Sequence, residues 1–400
     1  MSASGPTFSS RFHWDSQPNP LTTLLREKRA ANTRVLDLTE SNPTHAGLNY
    51  PQDDILSALA DSRALRYDPD PRGMLSAREA VSRYYARRGA AVDAARVILT
   101  ASTSEAYAHL FKLLTNPGDE VLVPRPSYPL FEYLAAMESV AVRQYPLRYD
   151  GAWHIDFDAL EKAASDRTRA IAIVNPNNPT GSFLKRDEWT RLAAWAASRN
   201  IAVLSDEVFS DFAFLPDPAR ISTLAEAADA SVFAMSGLSK IAGLPQMKLG
   251  WIVAHGPGHA EALDGLEWIA DTFLSVATPV QLALDRLLIA TETVREQIRQ
   301  RATHNLATAR TTFGPTSSCR ILNTEGGWYA VVQIPSTRSE EEWTLGLLRD
   351  ADVLVQPGFF YDFEAEAYIV VSLLTEPAIY QEGIRRISEY VETIIETAVS

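Results

Sequence analysis

The chain has 400 residues, 46% of them hydrophobic and 22% charged, which allows a large buried core and more than one domain. Its formal net charge of −13 argues against nucleic acid or an anionic membrane surface as a partner, because both attract basic patches. No apolar run approaches the roughly 20 residues of a membrane span, and the polar, proline-interrupted residues 1–29 are unlike a signal peptide.

The cysteine and histidine content excludes several further classes of protein. The single cysteine, Cys319, excludes an intrachain disulfide and a cysteine metal cluster, and we therefore expect a cytoplasmic protein. The seven histidines have no zinc-binding spacing, and the sequence contains neither a Walker loop nor a Gly-x-Gly-x-x-Gly run. Zinc, ATP and dinucleotide chemistry therefore have no support in the sequence.

The first two thirds of the chain have the pattern of an α/β protein. Residues 1–48 are predicted to be a mostly irregular arm with a helix at 21–31 and a strand at 35–38. From about residue 52, short apolar strands alternate with helices, which is typical of a largely parallel sheet. Seven strands are predicted, at residues 96–100, 120–123, 141–145, 170–174, 202–205, 231–235 and 249–254.

A long helical pattern at residues 278–310 is predicted to lead out of this region. Beyond it, short strands and helices indicate a smaller α+β domain. The strands are expected at residues 328–333, 353–356 and 368–373, and the helices at 339–349 and 377–398. We therefore predict an arm at 1–48 that joins the small domain, a large domain at 49–284 and a C-terminal small domain at 285–400.

Ligands of open α/β sheets lie at the carboxyl ends of the strands, so the residues that follow each strand are candidate site residues. The first strand leads through Ser102, Thr103 and Ser104 into a helix. Ser102 and Glu105 fit a capping box, which alone would explain these residues. The free amides of the helix start could instead hold a phosphate. After the second strand, Tyr128 could stack on a flat ring or simply pack.

Three later strand ends carry an amide, a carboxylate and an amine. Asn178 lies in a turn at residues 175–181, which could aim its amide into a cleft or only reverse the chain. Asp206 ends an apolar strand, where a carboxylate needs a partner such as a protonated ring nitrogen, a helix cap or a salt bridge. Lys240 follows the sixth strand; burial there would lower its pKa and allow a Schiff base with an aldehyde, whereas a solvated loop lysine would be inert.

Six motifs occur in an order that resembles the fold type I pyridoxal phosphate enzymes, specifically the class I and II aminotransferase family. They lie at residues 67–73, 102–104, 126–128, 177–181, 206–209 and 239–240. The resemblance covers nearly the whole chain and implies a large domain with a mixed, mostly parallel seven-stranded sheet beside a smaller α+β domain. It further implies pyridoxal 5′-phosphate as cofactor and transfer of an amino group from a small-molecule donor to a 2-oxo acid or other carbonyl acceptor.

The resemblance also implies roles for individual residues. Lys240 would be the Schiff-base lysine and proton shuttle, and Asp206 would keep the ring nitrogen protonated. Asn178 would bond the ring hydroxyl, and Tyr128 would stack on the ring. The residues implied for the phosphate are Thr103, Ser104, Ser236 or Gly237, and Lys248. Tyr67 would reach the phosphate of a neighbouring subunit, which implies a homodimer with shared sites, and Ser41 stands where the family has a substrate-facing glycine.

Three positions depart from the family pattern. Lys248 stands in place of an arginine, so a phosphate would meet a point charge and not a two-pronged donor. Phe209 replaces a tyrosine that donates to the ring oxygen, so we expect the Schiff base to have a higher pKa than in members with tyrosine. Val370 stands where an arginine grips the substrate α-carboxylate. Either another cation, such as Arg11, replaces it, or the substrate is an amine, an ester or a large modified molecule.

Two other functions are consistent with the same residues. One is a different pyridoxal phosphate reaction, such as elimination, decarboxylation or cyclisation, on a specialised substrate. The other is a protein that binds the cofactor without catalysis, which the presence of Lys240, Asp206 and Asn178 together opposes.

Overall fold

The computed structural model describes residues 8–11, 18–365 and 367–399. The elements before the main sheet are α1 (Pro20–Ala30), β1 (Leu36–Asp37), α2 (Gln52–Leu59) and α3 (Leu75–Arg87). Helix α1 begins at a side-chain cap, in which Asn19 Oδ1 accepts the Thr22 N–H at 2.7 Å. The parts of the predicted arm at residues 1–7 and 12–17 lie outside the described residues.

The largest sheet has eight strands in the order β2-β9-β8-β7-β6-β3-β4-β5. Their bounds are β2 (Val97–Thr100), β3 (Glu120–Arg125), β4 (Ala141–Tyr149), β5 (Trp153–Ile155), β6 (Thr168–Val174), β7 (Ala202–Asp206), β8 (Val232–Gly237) and β9 (Gly250–His255). The central strands are parallel, whereas β9 runs antiparallel to both β2 and β8. The mixed, mostly parallel sheet is confirmed, with one strand more than predicted. The additional strand, β5, is a three-residue antiparallel return of β4, too short to give a pattern in the sequence.

Helices cover both faces of this sheet. They are α4 (Thr103–Leu114), α5 (Leu130–Met137), α6 (Phe157–Ala163), α7 (Arg186–Arg199), α8 (Leu238–Ile241) and α9 (His259–Phe273). Helices α4, α5 and α9 pack one face through residues such as Leu110 and Leu266, and α6 and α7 pack the other through Leu160 and Leu192. Burial of each such leucine stabilises the fold by about 1.5–3 kcal/mol. Because both faces are covered, the strands are continuous apolar runs and not alternating ones.

Two helices, α10 (Thr278–Ala290) and α11 (Glu292–Thr312), occupy the stretch that the sequence predicts as one helical run. The break lies at Thr291, whose ψ of 8° departs from helical geometry. Its hydroxyl donates to the Leu287 carbonyl at 2.7 Å, and such back-bonding bends helices. The boundary proposed after residue 284 falls inside α10, and the division at 48 and 284 stays a prediction.

The last part of the chain forms a four-stranded antiparallel sheet in the order β10-β11-β14-β13. Its elements are β10 (Arg320–Ile321), β11 (Tyr329–Gln333), α12 (Glu340–Asp350), β12 (Val353–Leu354), β13 (Gln356–Pro357), β14 (Tyr368–Ser372) and α13 (Pro377–Val399). Strand β1 pairs in parallel with β12, so the N-terminal segment packs here through Leu36 and Leu38. Among the described residues, no helix combines the length and apolar character needed to cross a bilayer.

Candidate active site

A cavity of about 520 Å³ opens at the carboxyl ends of the parallel strands of the large sheet. Its opposite wall comes from the four-stranded sheet and the segment at residues 356–361. The predicted site residues that line it are Ser41, Thr103, Ser104, Tyr128, Asn178, Asp206, Lys240 and Lys248. Ser236 and Tyr67 do not line it. The structure therefore brings together residues as far apart in the sequence as Ser41 and Lys248.

Lys240 projects into the cavity from α8, the single helical turn that follows β8. Burial lowers the pKa of Lys240, and the charge of Asp206 acts in the opposite direction. The Lys240 Nζ also lies 5.1 Å from the ring centroid of Trp328 and 5.8 Å from that of Phe209. A lowered pKa increases the unprotonated fraction near neutral pH, and the unprotonated amine is the form that attacks a carbonyl.

The loop at residues 238–249 returns from Lys240 to the antiparallel strand β9. The Leu238 N–H donates to the Leu249 carbonyl at 2.9 Å, which closes the loop at its base. Gly237 and Gly250 face each other there, and a Cβ on Gly237 would lie 2.8 Å from the Gly250 Cα. The exposed Lys248, in a left-handed conformation with φ 47°, completes this rim of the cavity. Backbone contact at the base of the loop therefore holds both lysines at one end of the cavity.

Asp206 is the last residue of β7 and lies on the cavity wall. Burial raises the pKa of Asp206 to about 6, although the Val208 N–H, the Tyr107 hydroxyl and Lys240 all favour the ionised form. The Val208 N–H is 3.2 Å from Oδ1, and the Tyr107 hydroxyl is 3.4 Å from Oδ2. The sequence reasoning missed Tyr107, which lies one helical turn after Thr103 on α4 and could have been found by that spacing.

The N-terminus of α4 points at the same cavity. Ser102 Oγ accepts the Glu105 N–H at 3.2 Å, as the predicted cap requires, but Glu105 returns to the Ala101 N–H and not to Ser102. The cap thus accounts for Ser102 and Glu105. Thr103 and Ser104 line the cavity at the helix start, where backbone N–H groups and the helix dipole favour an anion.

Asn178 and Asn177 of this turn each have an unused side-chain acceptor, and of the two only Asn178 lines the cavity. The Asn175 side chain is bonded at both ends, to the Ile221 carbonyl and the Leu184 N–H. Asn178 is 7% exposed, and its Oδ1 has no hydrogen-bond partner among the described residues. Ser236, at 1% exposure, likewise leaves its Oγ unpartnered within the described chain, directly before the cavity-lining Gly237. A buried amide and a buried hydroxyl are therefore available to a ligand.

Tyr67 lies on a different surface of this chain. Its side chain is 75% exposed, and it lines a separate depression with residues of α9 and α10. The structure of one chain therefore does not bring Tyr67 to the cavity, and its assignment to a neighbouring subunit's site stays a prediction.

An aromatic wall, formed by Phe209, Tyr329, Phe360 and Tyr361, faces the lysine. Phe209 packs edge-on against Tyr329, with ring centroids 6.3 Å apart. The Tyr361 hydroxyl donates to Gln356 Oε1, which also lines the cavity. Burial raises the pKa of Tyr329 to about 12, so its hydroxyl stays protonated. Sequence reasoning found Phe209 alone of these residues, because the others follow no strand of the large sheet.

The two positions considered for carboxylate recognition do not supply a cation to the cavity. Val370, in β14, is 1% exposed and packs in the core with Phe209 and Trp328. Arg11 Nε donates to Ser139 Oγ at 3.2 Å, just after α5, and Arg11 does not line the cavity. Arg11 therefore does not reach the cavity of its own chain, and its role as a replacement stays a prediction.

The unsatisfied groups of the cavity fit pyridoxal phosphate. The cofactor has an aldehyde for an amine of lowered pKa, a ring hydroxyl for the free Asn178 amide and a ring nitrogen for the Asp206 carboxylate. Its phosphate suits the start of α4, and the unpartnered hydroxyl of Ser236 lies behind the cavity wall, directly before the cavity-lining Gly237. Fold and chemistry together define the class of protein, a pyridoxal phosphate-dependent α/β enzyme.

The chain belongs to the family described as aminotransferase class I and II, which it matches over residues 33–387. It is therefore an enzyme of the amino-group-transferring type, and members of this family use pyridoxal phosphate. Human tyrosine aminotransferase is 28% identical over 394 residues, which cover 94% of this chain and 85% of the relative. A glutamate-pyruvate aminotransferase, AlaA, from Haemophilus influenzae is 26% identical over 370 residues, or 89% and 90% of the two chains.

A relative with another activity also matches. The S-alkyl-thiohydroximate lyase SUR1 of Arabidopsis thaliana is 30% identical over 242 residues, which cover 59% of this chain and 52% of the relative. Among solved structures, an Escherichia coli aminotransferase superposes with a TM-score of 0.84 at 23% identity, covering 97% of this chain and 99% of the other. Alanine aminotransferase from Pyrococcus furiosus gives 0.83 at 23% identity, covering 93% and 96%. These structural likenesses support the fold.

Proposed function

We propose that this enzyme transfers an amino group between a small-molecule amino donor and a 2-oxo acid or other carbonyl acceptor, with Lys240 as the lysine that joins the cofactor. The observation that carries the proposal is the meeting of Lys240, whose pKa is lowered by burial, with Asp206 and the α4 N-terminus in one cavity. An amine, a carboxylate and an anion site are the groups that the cofactor requires of a protein.

When bound, pyridoxal phosphate supplies an aldehyde that takes up the amino group and a ring that withdraws electrons from the donor carbon. Asp206 Oδ2 would accept a hydrogen bond from the protonated ring nitrogen, and this bond would offset the free-energy cost of burying a carboxylate. Asn178 would bond the ring hydroxyl, and Tyr128 would stack on the ring. The proposed phosphate ligands are Thr103, Ser104, Ser236 and Lys248, which supply hydroxyls, helix-terminal amides and one ammonium.

Lys240 would also move the proton. With the cofactor bound, the Lys240 amine of lowered pKa would take up a proton released by the donor and would then give it up again on the cofactor side of the cavity. The cation–π contacts with Trp328 and Phe209 stabilise the protonated form of the amine between these two transfers. Ser41, on the substrate side of the cavity, would contact the donor.

We further propose a cytoplasmic homodimer with shared sites, in which Tyr67 reaches the partner's phosphate. The support is the exposure of Leu65, Tyr67 and Trp268 at 93%, 75% and 79%, since exposed large apolar side chains are typical of interfaces. Arg72, which pairs with Asp264 of α9 at 3.1 Å, links the two segments that carry them. Mixing Lys240→Ala with Tyr67→Ala chains should restore activity that neither has alone; no recovery from verified mixed dimers would contradict shared sites.

The lysine assignment is tested by reductive labelling. Borohydride treatment of the yellow holoenzyme should fix the cofactor to Lys240, and Lys240→Ala should remove the label. The exposed Lys162 on α6 provides a matched control, since Lys162→Ala should leave the labelling unchanged. Label that persists on another lysine in Lys240→Ala would overturn the assignment.

Elimination is the second candidate, because the relative SUR1 is named a lyase. The two reactions differ in their need for an acceptor. A transaminase converts one equivalent of donor and stops until a carbonyl acceptor is added, whereas a lyase turns over without one. Accumulation of the amino form of the cofactor after a single turnover supports transfer; continuous product release without an acceptor would favour elimination. A cofactor-binding protein without catalysis would give neither.

A further inference from the structure

We infer that the amino donor is a primary amine with an aromatic or other apolar body and no carboxylate on the carbon that bears the amino group. The inference rests on the proposed function and names the substrate class of the same cavity. In the reaction the donor C–N bond breaks, and its carbon is oxidised by two electrons to an aldehyde. The acceptor carbonyl carbon is reduced by two electrons and gains the amino group. One water molecule supplies the oxygen of the new aldehyde, and the acceptor oxygen leaves as one water molecule.

The described residues of this chain that line the cavity leave no cation free to receive a substrate carboxylate. Within the described chain, the cationic side chains that line it are Lys240 and Lys248. The proposed function uses the first to join the cofactor and the second to hold its phosphate. A carboxylate that entered the remaining space would lose hydration without gaining a charged donor, which is unfavourable.

A neutral amide lies beside the position where the family resemblance places an arginine. Gln356 of β13 pairs directly with Val370 of β14, and paired residues on neighbouring strands point to the same face. Val370 fills the core behind the cavity, whereas Gln356 reaches its surface. The Gln356 oxygen accepts the Tyr361 hydroxyl, so the group that this side chain has left for a ligand is an uncharged N–H.

Apart from Gln356 and Ser41, the residues assigned to the substrate side are aromatic. The aromatic wall of Phe209, Tyr329, Phe360 and Tyr361 has no ionised group, because burial keeps the two tyrosine hydroxyls protonated. Faces and edges of these rings suit an apolar or aromatic body and give no compensation for a negative charge. The lack of a free cation among the lining residues and the aromatic wall therefore both favour an apolar amine without a carboxylate.

The test compares two donors that differ only in the carboxylate, phenethylamine and L-phenylalanine, in single half-reactions of the holoenzyme. Conversion of the cofactor to its amino form should have a kcat/KM for phenethylamine at least about tenfold above that for phenylalanine, the discrimination typical of one charge-assisted hydrogen bond. Faster reaction of phenylalanine would overturn the inference and leave the proposed function standing. No half-reaction with either of them or with any other amine or amino acid would overturn both.

A binding measurement decides the same point without turnover. Calorimetry on the wild-type holoenzyme should show that phenylpropanoate binds no more tightly than phenylpropanamide. Gln356→Arg should then raise the affinity for phenylpropanoate roughly tenfold and leave the affinity for phenylpropanamide unchanged. The uncharged control Gln356→Met should leave the ratio of the two affinities unchanged. Wild-type preference for the carboxylate by tenfold or more would overturn the inference, even if Gln356→Arg does not fold.

Discussion

Replacing Asp206 with asparagine should stabilise the cofactor-free enzyme at alkaline pH and leave its stability nearly unchanged at acid pH. Burial raises the pKa of Asp206 from 3.8 to about 6, against opposing interactions with Val208, Tyr107 and Lys240. A folded-state pKa above the unfolded value means that the folded protein disfavours the ionised carboxylate. Asparagine keeps an acceptor for the Val208 N–H and removes the charge.

The size of the effect follows from the pKa shift. Below about pH 4 the carboxyl is protonated in both states, so the penalty is absent; it grows up to about pH 6 and is complete above it. A shift of about 2 units corresponds to a ceiling of about 3 kcal/mol. With an unfolding entropy of about 2.1 cal/mol/K per residue over 400 residues, this ceiling equals about 3.5 °C in the unfolding midpoint.

The assay is thermal unfolding of the cofactor-free protein, followed by circular dichroism near pH 4 and near pH 8. The control is Asp166→Asn, an exposed position after α6. If Asp206→Asn gives no gain near pH 8, or the same gain near pH 4, the buried Asp206 carboxylate does not destabilise the folded protein. In the holoenzyme the sign should reverse, because Asp206→Asn removes the partner proposed for the ring nitrogen and weakens cofactor binding.

Three further predictions concern the cofactor end of the cavity. Phe209→Tyr should lower the pKa of the lysine–cofactor chromophore by roughly one to two units, by adding a hydrogen bond to a charged oxygen; an unmoved spectrophotometric titration would contradict the placement of this residue. Lys248→Arg should tighten cofactor binding several-fold, because a two-pronged donor replaces a point charge, and equilibrium dialysis measures it. Gly237→Ala should destabilise the protein by about 1–3 kcal/mol, because its Cβ would lie 2.8 Å from the Gly250 Cα. The Cβ of the control Gly314→Ala would meet its nearest neighbour at 3.6 Å, so its unfolding midpoint should barely move.

The site residues that could be predicted from the sequence are those at the carboxyl ends of the strands of the large sheet. Asp206, Asn178 and Lys240 each follow an apolar run, and parallel strands bring their carboxyl ends to one edge, so local pattern and topology suffice. The opposite wall of the cavity depends on how the four-stranded sheet packs against the eight-stranded sheet. Tyr329 and Gln356 are the first residues of ordinary short strands, where no sequence pattern distinguishes a cavity wall from a core.

The same reason explains the differences in the fold. The predicted helical run at 278–310 has no proline or glycine to mark its break, because the bend comes from one hydroxyl, on Thr291. The short strand β5 depends on pairing with β4 and not on its own pattern. For Val370 the sequence left two explanations open. In the structure Arg11 lies away from the cavity and the neutral Gln356 lines it, which favours the explanation without a substrate carboxylate.

The closed loop at residues 238–249 constrains how this enzyme can diverge or be engineered. Its two ends are hydrogen-bonded to each other, and the Tyr50 hydroxyl and Arg295 Nε bind its Gly243 and Ile241 carbonyls from outside. One inserted residue adds up to about 3.5 Å of chain, so a change of length between the two lysines would alter their separation. Insertions and deletions should therefore be excluded from this loop, and a graft from a relative should succeed only as a unit of equal length.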